Sequence, residues 1–244
     1  MLKAVTLDYW NTLFVDVHGQ DRERRRAEML RAELEARGRA VPQTALDDAL
    51  RSGFDFFDRV WVGEHRTPAC GELVDSILAA LGAQLPEDAR ERLVSRFERL
   101  VLELPPEPMP SAAYALPLLA ERYHLAVVCD TGYSPGSVLR EVLERNGMLA
   151  HFEYLYFSNE HGMSKPDVRV FQHTLAALDV CAPEAAHVGD IQRTDIAGAQ
   201  AAGMAAVHFI GANNHDAGRS TADLIVRHFD ELPAALGGLT CAGC

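Results

Sequence analysis

Three separated segments of the sequence carry side chains suited to hydrolytic chemistry. Asp8 ends a short apolar run, and a carboxylate at the tip of a buried strand can attack a substrate and form a covalent intermediate. Asp190 and Asp195 stand at the end of another apolar run and about one turn into the helix after it, which suits the oxygen ligands of a hard cation. Lys165 supplies a positive charge that would offset these carboxylates and an anionic substrate.

A fourth segment, Cys129-Asp130-Thr131-Gly132, follows another apolar run. The hydroxyl of Thr131 and the backbone N–H of Gly132 are groups that hold anions. The thiol of Cys129 is a weak hydrogen-bond donor, which favours Thr131 for that role. Each segment has an ordinary structural explanation when it stands alone, so the functional interpretation depends on finding all four together.

The pattern after residue 110 alternates between strands and helices. Together with a first strand over 3–7, we predict strands over 124–129, 154–157, 186–189, 205–210 and 224–226, and helices over 111–123, 135–147, 168–178, 194–203 and 229–236. Strands joined by crossover helices run parallel, so both faces of the sheet are covered and its active groups gather at the carboxyl edge. The predicted fold class is therefore α/β, a doubly wound parallel sheet.

A block of helical patterns separates the first strand from the others. These helices are predicted over 21–37, 44–60, 70–81 and 86–104, and no strand signal interrupts them. The proline-rich run 105–110 then stops the helices with an extended segment. This order predicts an α/β core made of residues 1–15 and 109–244, with an all-helical domain inserted over residues 16–108.

In their order, spacing and strand context, the four polar segments resemble the four motifs of the haloacid dehalogenase-like (HAD) hydrolases. The helical insertion resembles the helical cap of that family, and the sheet resembles its Rossmann-like core. The resemblance implies that Asp8 is the nucleophile. It also implies a Mg²⁺ ion held by Asp8, Asp190 and the backbone carbonyl of Trp10, with Asp195 in a supporting position.

The resemblance implies roles for the other polar residues as well. Lys165 would neutralise the nucleophile and the transferred group, as the lysine of the family's Lys-Pro segment does. The Ser or Thr of the second motif falls by position on Cys129, and Thr131 is the residue better able to replace it. Thr12 would have a structural role or orient phosphate. The residues assigned to substrate binding are Asn11, Cys129, Asp130 and Gly132.

Trp10 departs from the family pattern, in which the residue two after the nucleophile is usually a second Asp. In HAD phosphatases that Asp protonates the leaving oxygen and later activates water, contributions of roughly 10²- to 10⁴-fold in rate. Three alternatives follow: the leaving group needs no acid, another group such as His18, Asp130 or a cap residue donates the proton, or turnover is lost. Haloacid dehalogenases carry an aromatic residue here, but they usually lack the acid pair that this chain retains at Asp190 and Asp195.

The insertion is rich in arginine and aromatic residues. Arg59 or Arg66 could recognise a carboxylate or phosphate. The triplet 24–26 is basic, but acidic residues are interleaved with it, which favours a solvated helix face. Four aromatic residues recur at helical spacing, and most of them are predicted to form the insertion's own core; they are Phe54, Phe56, Phe57 and Trp61.

Composition limits the classes of partner. The 244 residues carry a formal charge of −12, which would repel nucleic acids and anionic membranes, so we expect neither as a partner. No apolar stretch approaches the roughly 20 residues that span a bilayer, and the first strand follows no signal-peptide pattern, so we expect a cytoplasmic location. The five cysteines are expected to be reduced, and the terminal pair, Cys241 and Cys244, is expected to be a frayed tail rather than a metal site.

These observations predict a Mg²⁺-dependent hydrolase of a small anionic metabolite, with a phosphate monoester as the expected substrate and an aspartyl-enzyme intermediate on Asp8. We expect a monomer or a homodimer. Two alternatives stay open at this point. One is a dehalogenase-like enzyme that hydrolyses a carbon–halogen or related bond without metal. The other is a HAD-like protein without turnover that binds a metabolite or partner and has a regulatory role.

Overall fold

The computed structural model describes residues 1–239 and has a parallel β-sheet at its centre. The described strands are β1 (Ala4–Leu7), β2 (Phe14–Val15), β3 (Glu107–Pro108), β4 (His124–Cys129), β5 (Tyr154–Phe157), β6 (Ala185–Gly189), β7 (Ala205–Phe209) and β8 (Leu224–Val226). Six of them form the sheet in the order β5-β4-β1-β6-β7-β8, and every neighbouring pair is parallel. The predicted fold class is confirmed, and the strands of the sheet lie where the sequence predicts them.

The helices described within residues 1–239 are α1 (Gly19–Glu35), α2 (Gln43–Glu64), α3 (Cys70–Ala80), α4 (Glu87–Glu103), α5 (Ala112–Ala120), α6 (Gly136–Arg145), α7 (Ser158–His161), α8 (Val168–Leu178), α9 (Ala197–Ala201) and α10 (Leu232–Gly237). The last helix begins later than predicted. Residues Phe229–Glu231 form a 3₁₀ turn, and α10 starts where Pro233 fits the first turn of an α-helix.

Apolar side chains at alternate strand positions fill both faces of the sheet. Val127 lies in the larger core cluster, which includes residues of α5, α6 and α10. Its neighbour Val128 lies in a second cluster with residues of α8 and α9. Because successive side chains of a strand point to opposite faces, one continuous apolar run supplies both clusters. The sheet is therefore covered on both faces, as the doubly wound arrangement requires.

The helices α1 to α4 have an apolar core of their own. Side chains from all four helices pack in it, among them Leu30, Leu50, Ile77 and Phe97. The same cluster includes Tyr133, which lies in the loop after β4. The inserted helices therefore contact the polypeptide at the carboxyl edge of the sheet, where the predicted site residues gather.

A short antiparallel ribbon joins the two ends of the insertion. Phe14 of β2 pairs with Pro108 of β3, and the Met109 N–H donates to the Leu13 carbonyl over 2.8 Å. The extended segment predicted over 105–110 thus contains a strand. The ribbon stays short because proline cannot donate a ladder hydrogen bond.

The described residues bear on two further expectations. No helix within residues 1–239 is both long and apolar enough to cross a membrane. Cys70, Cys129 and Cys181 are free thiols. The terminal pair, Cys241 and Cys244, lies outside the described residues.

Candidate active site

Three aspartates lie at the ends of three neighbouring strands. Asp8, Asp130 and Asp190 directly follow β1, β4 and β6. In the sheet, β1 is paired with β4 on one side and with β6 on the other. Parallel strands therefore bring three carboxyl groups to one edge of the sheet, where open α/β sheets bind their ligands.

Lys165 lies at the centre of the acidic groups. Its ammonium donates to Asp8 Oδ1 and to Asp195 Oδ1, each over 2.6 Å, and to the Val128 carbonyl oxygen over 3.0 Å. Lys165 is 2% exposed and Asp195 is 1% exposed, so both are shielded from water. A buried charge is costly unless it is paired and hydrogen-bonded, and these contacts meet that requirement. The structure thus brings together the residues that the sequence predicts to meet.

Burial and mutual charge shift the pKa values of these groups. Burial alone would lower the pKa of Lys165, but Asp195 and Asp8 together raise it well above its ordinary value. Burial alone would raise the pKa of Asp195, but Lys165 and His187 hold it well below its ordinary value. Burial raises the pKa of Asp8, and the charges of Asp195 and Asp190 add to this effect against the opposing charge of Lys165. The charged forms of Lys165 and Asp195 are therefore favoured, whereas burial and the neighbouring carboxylates oppose ionisation of Asp8.

A histidine extends the contacts of Asp195 into the sheet. His187 Nε2 lies 3.1 Å from Asp195 Oδ1, and His187 Nδ1 lies 2.7 Å from the Thr6 hydroxyl. Burial lowers the pKa of His187, which favours a neutral ring. A neutral ring can donate a hydrogen bond from Nε2 to Asp195 and accept one at Nδ1 from the Thr6 hydroxyl. Both ring nitrogens then have a hydrogen-bond partner. The sequence signal for His187 is a polar residue inside a buried strand.

Asp190 joins Asp8 and Asp195 in an acidic cluster of three buried carboxylates. Its Oδ2 accepts a hydrogen bond from Asn213 Nδ2 over 2.8 Å, whereas its buried Oδ1 has no hydrogen-bond partner among residues 1–239. Carboxylate oxygens of Asp8, Asp190 and Asp195 lie within 4.8 Å of one another. Burial, together with the charge of Asp195, raises the pKa of Asp190 to about 7. A divalent cation would complete this arrangement, because oxygen ligands surround such ions and buried polar atoms are normally paired.

The turn after β6 brings Asp195 back to the end of the strand. Residues Gln192–Ile196 form a π-helical turn, which α9 follows. The Asp195 carboxylate accepts the Ile191 N–H over 2.9 Å, and a Cβ added at Gly189 would lie 2.3 Å from the Asp195 carboxyl carbon. The predicted helix over 194–203 is therefore not a regular α-helix at its start, because the wider turn and Gly189 let Asp195 approach the strand.

A tight loop turns the chain directly after Asp8. Asn11 has a φ of 57°, a left-handed conformation that Asn adopts more readily than most residues, and its N–H donates to the Phe14 carbonyl over 2.6 Å. Asn11 and Trp10 both line the cavity above Asp8. Thr12 is buried, its hydroxyl has no hydrogen-bond partner in the described part of the chain, and it does not line that cavity.

Asp130, rather than Cys129, lines the cavity after β4. Cys129 is the last residue of the strand, and its side chain is buried in the larger core cluster. Its assignment to substrate binding is therefore corrected, because alternation along the strand turns this thiol into the core. Asp130 accepts the Lys165 backbone N–H over 3.0 Å and the Trp61 indole N–H over 2.8 Å.

Thr131 and Gly132 line the same cavity, and Thr131 shares its polar groups with Ser158. The Thr131 N–H donates to Ser158 Oγ over 2.9 Å, and the two hydroxyl oxygens lie 3.3 Å apart. Ser158 Oγ also lies 2.5 Å from the Thr67 hydroxyl, which connects the loop after α2 to the sheet edge. No sequence motif indicates Ser158, because its place at the site depends on β5 ending beside β4.

The cavity above the acidic cluster has a volume of about 230 Å³. Residues of the sheet edge line one side of it, and Phe57 and Trp61 of α2 line it from the insertion. The guanidinium of Arg193 lies 4.3 Å from the centre of the Trp61 ring. Phe56 and Phe57 pack against the insertion's own core, as predicted for most of these aromatic residues, whereas the Trp61 indole N–H donates to Asp130 at the cavity.

The two arginines considered for substrate recognition lie elsewhere. Arg66 forms ion pairs with Glu64 and Glu72, and Arg59 lies against the Phe56 ring. Neither arginine lines the cavity above the acidic cluster. Their position near aromatic residues in the sequence did not show which face of the insertion each one occupies.

Replacement of Lys165 by Met should destabilise the fold strongly. We expect the free energy of unfolding to fall by roughly 3–5 kcal/mol, because Asp8 and Asp195 would lose the cation between them while remaining buried. Chemical denaturation at neutral pH measures this change.

The matched control is Lys3→Met. Lys3 is the other of the two lysines in the chain, and its side chain is 57% exposed. Its replacement should leave the stability nearly unchanged, because exposed ion pairs contribute little. Similar losses in the two variants would contradict the role given to Lys165.

Known proteins share both sequence and fold with this chain. A family model described as haloacid dehalogenase-like hydrolase matches residues 64–209, more than half of the chain. The phosphoserine phosphatase of Thermus thermophilus is 38% identical over 148 residues, which cover 60% of this chain and 55% of that protein. The ribulose-1,5-bisphosphate 5-phosphatase of Halopiger xanaduensis is 38% identical over 99 residues, which cover 40% of this chain and 41% of that protein. The chain thus matches only about half of the length of each of these two relatives.

Solved structures resemble this one over nearly its whole length. A 2-haloacid dehalogenase from Pseudomonas syringae pv. Tomato DC3000 has a TM-score of 0.73 at 24% identity, over 97% of this chain and 99% of that one. A HAD phosphatase from Thermococcus onnurineus has a TM-score of 0.65 at 23% identity, with the same coverage. At these identities the likeness establishes the fold. The family model and the shared fold together show that the chain belongs to the haloacid dehalogenase-like hydrolases, which confirms the resemblance found in its motifs.

Proposed function

We propose that this protein is a Mg²⁺-dependent phosphatase of a small phosphate monoester, with Asp8 as its nucleophile. The observation that carries the proposal is the buried Oδ1 of Asp190, which has no hydrogen-bond partner in the described part of the chain and belongs to a group of three carboxylates whose oxygens lie within 4.8 Å. One ammonium does not offset three buried carboxylates, so the cluster favours a divalent cation. Two relatives are named as phosphatases of small anionic molecules, which supports the same reaction class.

The residues present fit a magnesium ion. Asp8 and Asp190 would hold it through carboxylate oxygens, the backbone carbonyl of Trp10 would be a third ligand, and Asp195 would support the site. When bound, the ion supplies positive charge that offsets the substrate's charge and polarises its phosphoryl oxygens. A carbonyl ligand does not depend on the side chain, so tryptophan at position 10 is compatible with this role.

Asp8 is positioned for attack on phosphorus. It lies at the end of β1 and is 6% exposed, and Lys165 holds its Oδ1, which leaves Oδ2 for the attack. An Asp8 oxygen bonds to phosphorus as the bond from phosphorus to the leaving oxygen breaks, which forms an aspartyl-phosphate and, with a proton from a general acid, releases the alcohol. Water then attacks the phosphorus, which releases inorganic phosphate, restores the Asp8 carboxylate and returns a proton to the general acid. Lys165 offsets the charge of the transferred group. The groups proposed to hold the phosphoryl oxygens line the same cavity: Asn11, Thr131 and Gly132.

Asp130 is proposed to donate the proton that the missing acid at position 10 would supply. It is the one carboxyl group among the described cavity-lining residues that lies outside the three clustered carboxylates. Burial raises the pKa of Asp130 against the opposing charge of Lys165, which makes its protonated form more accessible. His18, the other named candidate, contacts Asp21 in α1 and does not line this cavity.

The helical insertion, residues 16–108, is proposed to act as a cap on the core formed by residues 1–15 and 109–244. Phe57 and Trp61 line the cavity from the insertion side. The contacts from Trp61 to Asp130 and from Thr67 to Ser158 connect the insertion to the sheet edge. A substrate that reaches Asp8 would therefore pass between the two parts.

A second candidate function is hydrolysis of a carbon–halogen or related bond. Trp10 favours it, because a halide leaves without a proton and so needs no acid at this position. Asp8 would then form an ester with the substrate carbon, and no cation would be required. The two candidates therefore differ in their dependence on metal.

Removal of divalent cations should abolish phosphatase activity without unfolding the protein. We expect hydrolysis of phosphorylated metabolites to stop in EDTA and to return with excess Mg²⁺, because the carboxylate cluster needs the added charge. Asp190→Asn should prevent this recovery, whereas Asp58→Asn, at an exposed aspartate of α2, should not.

Phosphatase activity that resists EDTA would contradict the proposal. Metal-independent hydrolysis of 2-halo acids in the same panel would favour the second candidate. A folded protein that hydrolyses neither class of compound would favour a binding protein without turnover.

Replacement of Asp130 by Asn should affect substrates according to their leaving group. We expect kcat for ethyl phosphate to fall roughly 10²- to 10⁴-fold, because the ethoxide needs a proton as it leaves. The kcat for p-nitrophenyl phosphate should fall much less, since nitrophenolate leaves unprotonated. Steady-state kinetics on both substrates measures the difference. Equal losses would show that Asp130 has a positional role and donates no proton.

A further inference from the structure

A second cavity, of about 140 Å³, adjoins the cavity above the acidic cluster. Trp10 and Gly132 line both of them, so the two cavities share a wall. The polar residues around the second cavity come from the insertion and from the loop after β4; they are Asp16, Arg22, Arg26, Tyr133 and Ser134. This second cavity therefore lies beside the nucleophile's loop, between the insertion and the core.

Arg26 is a buried cation without a counterion in the described part of the chain. It is 6% exposed, and its Nε is buried without a hydrogen-bond partner. No carboxylate among residues 1–239 forms an ion pair with it, and its guanidinium instead lies 3.9 Å from the centre of the Tyr133 ring. Because arginine stays charged and buried charges are normally paired, an unpaired guanidinium at a cavity indicates a site for an anion.

The neighbouring groups also suit an anion. The Tyr133 hydroxyl is buried and has no hydrogen-bond partner within residues 1–239. Burial raises the pKa of Tyr133 to about 12, so the hydroxyl keeps its proton and can donate it in a hydrogen bond. Arg22 is already engaged by Asp16 and by the Leu104 carbonyl oxygen, the latter over 2.6 Å. Within residues 1–239, the second cavity thus offers the guanidinium of Arg26 without a counterion and the Tyr133 hydroxyl without a hydrogen-bond partner.

We propose that the second cavity binds a carboxylate or phosphate carried by the leaving group of the substrate. This inference rests on the proposed phosphatase function, because the cavity above the acidic cluster would hold the phosphoryl group of the substrate at Asp8. The substrate class is then a small phosphate monoester with a second anionic group, such as a phosphorylated hydroxy acid or a bisphosphate. A volume of about 140 Å³ is below the roughly 300–1,000 Å³ of whole-ligand pockets, so the second cavity receives one group of the substrate.

The contact between Arg26 and Tyr133 also joins α1 to the core, and a purely structural arginine would have the same contact. The two roles differ in one respect. A structural arginine would affect all substrates alike, whereas an anion-binding arginine would affect those that carry the second anionic group. The experiment therefore compares substrates that differ by that group alone.

The matched substrates are 2-phosphoglycolate and ethyl phosphate, which differ by a carboxylate in place of a methyl group. With Mg²⁺ present, we expect kcat/KM of the unmodified protein to be roughly 10- to 100-fold higher for 2-phosphoglycolate, as one charge-assisted contact provides. Propane-1,3-diol bisphosphate, compared with propyl phosphate, tests a second phosphate in the same way. A preference in either pair identifies the anionic group, and a preference in neither overturns the proposal.

Arg26→Met should abolish this preference. We expect its kcat/KM for 2-phosphoglycolate to fall roughly 10- to 100-fold, to a value close to its kcat/KM for ethyl phosphate. The matched control is Arg25→Met, since Arg25 is on the same helix and forms an exposed pair with Glu28, and this variant should keep the preference. If Arg26→Met does not fold, Tyr133→Phe removes a single hydroxyl from the same cavity and should lower the preference several-fold. A preference that survives in Arg26→Met, or in Tyr133→Phe where that variant is the one that folds, overturns the proposal.

Failure of the phosphatase function has a separate signature. If the unmodified protein hydrolyses none of these esters, calorimetry with 2-phosphoglycolate and ethyl phosphate measures binding to the second cavity without turnover. Tighter binding of 2-phosphoglycolate that is lost in Arg26→Met supports the anion site although the enzyme function fails. Equal binding of the two compounds overturns the anion site.

Discussion

The buried ammonium of Lys165 holds the site together. Asp8 and Asp195 are far apart in the sequence, but both carboxylates contact the same ammonium. Without a cation between them, two neighbouring carboxylates would repel one another. The chain has two lysines and otherwise uses arginine for its positive side chains. A compact ammonium with three donors matches two carboxylates and one carbonyl, whereas a planar guanidinium is broader and donates in a fixed fork.

The sheet and its loops are built around this charge cluster. An aspartate directly follows each of three neighbouring strands, and the glycine before Asp190 leaves room for Asp195 to fold back against the strand end. His187 holds Asp195 and Asn213 holds one oxygen of Asp190, so each contact fixes a carboxylate without neutralising it. The proposed binding of a cation, and through it of an anionic substrate, depends on the negative charge that remains at this site.

Much of the fold and part of the site could be predicted from the sequence, because strand ends in a parallel sheet meet at one edge. That rule brings Asp8, Lys165 and the acid pair together without knowledge of packing. The direction in which a single side chain points could not be predicted in the same way. Whether Cys129 or Asp130 faces the cavity depends on where β4 ends, since one residue turns a side chain to the opposite face. Arg26 belongs to a basic triplet, and its burial follows from how α1 packs against the loop after β4, which sequence periodicity does not specify.

Trp10 and Gly132 line both cavities, and in our proposal the substrate places its phosphoryl group at Asp8 and its second anionic group at Arg26. The role of Asp8 as a cation-assisted nucleophile can be examined by a crystal structure with Mg²⁺ and beryllium fluoride, which mimics a phosphoryl group on aspartate. We predict beryllium bonded to an Asp8 oxygen, with Mg²⁺ bound by Asp8 and Asp190. Beryllium fluoride that binds Asp8 without Mg²⁺, or that binds away from Asp8, would contradict this role.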